Sequence, residues 1–139
     1  MHPEATDITE PLMFRRSYPG AKEQVRQVRA DLAAIAAGCP LADDLVLLGS
    51  ELVTNAIMHS KSGQPGGEFT VRAQVRPGSY AWLEVEDQGG PWIEHQADEE
   101  HGRGLDLVKA LANGKWDIEP GKAPGTRTVW VWLDWPGES

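Results

Sequence analysis

The sequence has one cysteine, no apolar run that approaches the length of a bilayer, and fewer basic residues than acidic ones. Cys39 has no second cysteine in the chain, so it forms no internal disulfide, and a lone thiol fits a reducing compartment. It reads as a small core residue. A membrane-spanning helix needs about 20 predominantly apolar residues, and none is in sight. The start, Met1-His2-Pro3-Glu4-Ala5-Thr6-Asp7, lacks the basic and apolar parts of a signal peptide. The expectation is a cytoplasmic protein that does not touch a membrane. Thirteen Lys and Arg against 21 Asp and Glu give a net charge of -8. That balance argues against direct DNA binding, which needs a basic face to displace counterions. It leaves room for a nucleotide, because backbone amides can hold phosphates within an acidic protein.

What is present suits one globular domain: 139 residues, 40% hydrophobic and 24% charged. Such a domain buries about 65 to 70% of the surface its unfolded chain exposes and needs no disulfide. Residues 1–11 contain two prolines and little apolar content, and read as a flexible lead-in to a domain over 12–136. Leu12 to Tyr18 reads as an edge strand stopped by Pro19-Gly20. Val25, Val28, Leu32 and Ile35 recur at helical spacing over Ala21 to Ala37. A second helix starts near Asp43, with Leu45, Leu48, Leu52 and Ala56 as its buried stripe.

Glu68 to Arg76 and Tyr80 to Glu86 alternate in polarity around Pro77-Gly78-Ser79, which predicts a hairpin. A helix carrying Leu105, Val108 and Leu111 ends at Gly114, and strands follow at Lys115 to Ile118 and Thr126 to Trp135. The architecture expected is α+β: a two-layer α/β sandwich, its sheet mixed but mostly antiparallel, with helices on one face. The other face is then open. On it the parity of the strands places Trp82, Trp130 and Trp132, a surface for a partner or a homodimer unless Arg72, Arg76 and the N-terminal segment cover it.

Three separated segments carry chemistry. In Glu51-Leu52-Val53-Thr54-Asn55, Glu51 and Asn55 fall about 40° apart round a helix, one turn apart along it, so both can face one cleft. An amide oxygen can serve as a single magnesium ligand when phosphates and water supply the rest. A carboxylate beside it can take a proton from an attacking hydroxyl. In Glu86-Asp87-Gln88-Gly89-Gly90-Pro91 a strand ends in a carboxylate, which can accept from adenine's exocyclic amine where guanine presents a carbonyl. Gly89 lets the backbone come close to a flat base. In His101-Gly102-Arg103-Gly104-Leu105, glycines at a helix start expose unpaired amides to phosphate, and Arg103 adds a positive charge.

In this order the segments resemble the GHKL superfamily of ATP-binding domains found in gyrase B subunits, sensor histidine kinases and mismatch-repair ATPases. They are most similar to the small anti-sigma-factor serine kinases. The resemblance implies a Bergerat-type fold with ATP and magnesium as cofactors. It implies Glu51 as catalytic base, Asn55 as magnesium ligand, and Asp87 and Gly89 as the adenine motif. Gly102, Arg103, Gly104 and Leu105 fall in the phosphate-binding segment. It also implies that Thr126, in Pro124-Gly125-Thr126, supports Asp87 through its hydroxyl. The partners implied are a sigma factor and an anti-anti-sigma protein that receives the phosphate. His59 ends the helix motif, where it reads as a C-terminal cap.

The sequence departs from the superfamily at two places: Gly89 and Gly90 are adjacent and followed by Pro91, and the lid from Pro91 to His101 carries Glu94, Asp98, Glu99 and Glu100 with no lysine or arginine. Four carboxylates near a triphosphate repel it unless they point away. A protein-binding module that responds to nucleotide without kinase activity is therefore the alternative reading.

Overall fold

The computed structural model describes residues 10–89 and 102–137, and of 102–106 the backbone alone. The expected lid, Pro91 to His101, lies outside the described residues, as does most of the N-terminal lead-in. Five strands and three helices follow in the order β1 (Leu12–Pro19), α1 (Gln24–Ile35), α2 (Ala42–His59), β2 (Glu68–Arg76), β3 (Tyr80–Asp87), α3 (Gly102–Ala112), β4 (Trp116–Pro120) and β5 (Arg127–Asp134). The strands form one sheet in the order β1-β2-β3-β5-β4. Every pairing among them is antiparallel, where the sequence had suggested a mixed sheet.

Alternation sets the two faces. Val71, Ala73 and Val75 of β2 lie opposite Val85, Leu83 and Ala81 of β3, and with Phe69, opposite Tyr18 of β1, all are fully buried. They face the helices, whose buried stripes are Val28 and Leu32 on α1 and Leu45, Leu48, Leu52 and Ala56 on α2. Each such Leu or Val contributes about 1.5 to 3 kcal/mol by leaving water. The helix period ran slightly past α1 at both ends. Residues 21–23 form a turn instead, with the Gln24 amide donating to Ala21 O at 2.8 Å, and no side chain caps the helix start.

Gly49 explains how α1 and α2 pack closely. It is buried, and a Cβ there would strike Leu32 Cδ1. At the outer end of the sheet β1 is anchored from inside by Tyr18, which stacks on Phe69 at 5.2 Å and donates its hydroxyl to Asp31 of α1 at 2.7 Å. At the other edge β4 runs two residues beyond the expected Ile118, because Glu119 and Pro120 still pair with Thr128 and Arg127. Proline is tolerated on an edge, where its missing N–H breaks no ladder.

Trp82, Trp130 and Trp132 lie on the face away from the helices, each half-buried. The indoles of Trp130 and Trp132 donate to Glu119 and Asp134 at 3.0 and 3.1 Å, and Trp132 stacks on Tyr80 at 4.1 Å. Arg72 crosses the same face to reach both Glu84 and Glu86, a cover for part of it.

Candidate functional site: a strand end beneath two helices

α2 lies over the middle of the sheet, between α1 and α3. Its Ser50 hydroxyl accepts from Arg29 of α1 at 3.4 Å. Helical geometry then turns Glu51 and Asn55 about 100° and 140° round the axis from Ser50, toward the flank on which α3 packs. Both are half-buried there. The first turn of α3 is Gly102 to Leu105, so the Gly102 and Gly104 amides stand at a helix N-terminus, where the backbone presents unpaired donors. The side chains of Arg103 and Leu105 lie outside the described residues.

The end of α2 is tied to the end of β3 by a short network. Lys61 N donates to Gly89 O at 2.8 Å. Ser62, wholly buried, accepts from Gln88 N at 2.9 Å. Ser60 Oγ donates to Ala56 O at 2.6 Å and accepts from Ser62 N at 3.0 Å. Neither serine was singled out from sequence, although Ser60-Lys61-Ser62 directly follows the helix motif. The network holds the last turns of α2, where Asn55 sits, beside the strand end that carries Asp87.

Asp87 is the last residue of β3, only 4% exposed, and points to the helix side. One carboxylate oxygen accepts from Gly89 N at 2.7 Å. The guanidinium of Arg127, its cross-strand partner, reaches the two oxygens at 3.1 and 3.2 Å. Burial pushes the carboxyl of Asp87 above its ordinary range, and Arg127 and the Gly89 amide act against that push.

Gly89 adopts φ +70°, and a Cβ on it would strike Gly125 O. The two turns thus approach through bare backbone. Gly90 lies outside the described residues.

Thr126 takes a different role from the one the resemblance implied. Its hydroxyl donates to Ala123 O at 2.6 Å and lies beside the Glu86 carboxylate, while Asp87 is held by Gly89 and Arg127. The reason is alternation: Glu86 and Asp87 are consecutive, so their side chains leave opposite faces of the sheet. Glu86 also accepts from Lys122 N at 3.1 Å and from Arg72 at 2.8 Å. Burial raises its carboxyl, and Arg72 and Thr126 outweigh that and hold it below the ordinary range. Arg127 follows the Gly-Thr pair directly, and only the pairing of β3 with β5 sets it opposite Asp87.

The described residues hold a buried carboxylate at a strand end with a glycine backbone beside it, and α3 begins at a pair of glycines, group types that suit an adenine nucleotide. Among the described residues no three His, Cys, Asp or Glu side chains group as a metal site. A sheet of this order with helices on one face agrees with an ATP-binding domain of the histidine-kinase type. The family profile of the histidine kinase-like ATPase domain matches residues 18–132, and the chain belongs to that family. Membership implies ATP as the ligand. Among curated proteins none matches. No helix among the described residues is long and apolar enough to cross a membrane.

Proposed function

We propose that this domain is an ATP- and magnesium-dependent regulatory kinase of the anti-sigma-factor type, which phosphorylates a serine or threonine of an anti-anti-sigma partner and otherwise holds a sigma factor. The observation that carries the reading is the tie between the end of α2 and the end of β3, because it brings the helix of Glu51 and Asn55 to the strand end of Asp87. Bound ATP with magnesium supplies the transferable phosphoryl group. Asp87 accepts from the base, Asn55 offers its amide oxygen to the metal, and the Gly102 and Gly104 amides with Arg103 receive the phosphates. Glu51 takes the proton from the attacking hydroxyl.

The test is phosphate transfer to a cognate partner. Glu51→Gln is expected to bind ATP as the parent does and to transfer phosphate about a hundredfold more slowly or worse. Transfer at the parent rate removes Glu51 as the base.

A second reading is supported by the segment 91–101, with four carboxylates and no lysine or arginine. It is a protein-binding module in which nucleotide shifts conformation and no phosphate moves. Nucleotide binding that persists with every cognate partner left unphosphorylated selects it. In either reading the open face with Trp82, Trp130 and Trp132 offers a surface for a second copy of the chain, since half-buried aromatics suit an interface.

A further inference from the structure

Arg127 opens β5 and stands directly opposite Asp87, which closes β3. Opposed residues of an antiparallel pair project to the same face with their Cβ atoms about 5 Å apart, so these two side chains meet. The contact is a fork: Nη2 lies 3.1 Å from one carboxylate oxygen and 3.2 Å from the other, and Nε lies 3.4 Å from the second. From its own side, Gly89 N takes the first oxygen at 2.7 Å. A planar guanidinium and a main-chain amide together remove the free rotation of the carboxylate. An ionised carboxylate has about four acceptor positions, so these donors leave capacity in a fixed direction.

We propose that Arg127 is the positioning residue of the base site, fixing the orientation in which Asp87 meets the exocyclic amine of adenine. The inference rests on the reading of Asp87 as the base acceptor. Three observations support it together. The pair is enclosed, with the side chains of Arg127 and Asp87 17% and 5% exposed, so water screens it little. The Thr126 hydroxyl is turned to Ala123 O and leaves the orienting of Asp87 to other groups. Asp87 pays for burial as a charged group, and the nearest compensating cation is the one that orients it.

An ion pair that merely staples the ends of β3 and β5 would make a different prediction. Losing a staple weakens every ligand of the pocket alike. Losing a positioning residue weakens the ligand that uses the carboxylate.

The experiment compares ATP with purine riboside triphosphate, which lacks the exocyclic amine, by calorimetry in magnesium with the full chain. The parent is expected to prefer ATP about tenfold or more, the worth of a hydrogen bond to a charged acceptor. Arg127→Ala is expected to bring that preference to within about threefold of unity. Arg127→Lys, which keeps the charge without the fork, recovers only part of it. Arg127→Gln replaces Arg127→Ala if the latter does not fold. The parent preference retained in Arg127→Ala or Arg127→Gln, with Asp87→Asn abolishing it, overturns the proposal and leaves the pocket intact. A parent with no preference, or Asp87→Asn that keeps it, overturns the base-site reading and the proposal with it.

Discussion

The amide of Lys61 donates to the carbonyl of Gly89 at 2.8 Å, joining the residue just past α2 to the turn just past β3. These positions lie far apart in sequence, and one main-chain bond brings the helix motif and the adenine motif together. Ser62 reinforces it from beneath. Replacing Ser62 with alanine takes the acceptor from the Gln88 amide in a partly buried place, at a cost of about 0.5 to 1.5 kcal/mol. We expect urea unfolding to show that loss and hydrogen exchange at Gln88 to accelerate. Unchanged exchange at Gln88 would mean that the bond contributes nothing to the tie.

The close approach of Gly89 to Gly125 sets a second expectation. Alanine at 89 must hold φ near +70° with its methyl against Gly125 O, which costs about 1 to 3 kcal/mol. ATP affinity should fall by more than the unfolded fraction explains, because the strand end that carries Asp87 shifts. Calorimetry on folded Gly89→Ala protein separates the two effects, and parent-like affinity there would place the base elsewhere.

Tyr18 and Asp31 give the fold a dependence on acid. Burial raises the carboxyl of Asp31, but hydrogen bonds from Tyr18 and Gln27 and the charge of Arg16 outweigh it, so its folded pKa lies below the ordinary carboxyl value. A depressed folded pKa contributes stability that is present above the unfolded value, about 3.9, and is lost as pH falls through the folded one. Tyr18→Phe should therefore cost about 1 to 2 kcal/mol at pH 7 and progressively less at acid pH, as Asp31 takes up its proton in the folded chain. Equal losses at neutral and acid pH would show that the bond to Asp31 is not the source.

If the open face joins two copies, its aromatics carry much of the energy. Trp82→Glu and Trp130→Glu should each convert the assembly to monomers at micromolar concentration, since truncating a central aromatic typically costs at least about 2 kcal/mol, roughly thirtyfold in Kd. Sedimentation reads the mass. A parent of monomeric mass at that concentration removes the dimer.

The fold was largely legible because polarity alternates cleanly over β2, β3 and β5 and recurs at helical spacing on α1 and α2. The β2–β3 hairpin followed from the turn residues Pro77-Gly78-Ser79 alone. The helix ends were less legible: α1 starts late because no residue near Gln24 caps it. In the site, Asp87 and Gly89 could be read locally, since a carboxylate and a glycine at a strand end carry their chemistry with them. Arg127 could not, because its meaning depends on which residue stands opposite it across a ladder. The surroundings of Thr126 depend likewise on the folded turn, where its hydroxyl donates to Ala123 O beside Glu86. Ser60 and Ser62 look like ordinary loop residues until the loop is folded back beneath β3.

The consecutive carboxylates at the end of β3 leave the sheet in opposite directions, yet each holds the same stretch of chain. Glu86 grips it through the Lys122 amide, and Asp87 through Arg127. The stretch behaves like a hinge leaf pinned from both sides of a door. Arg72, half-buried on the outer face of the sheet, donates to the outer carboxylate. The strand end that carries Asp87 is therefore also held from the other face of the sheet, by Arg72 through Glu86.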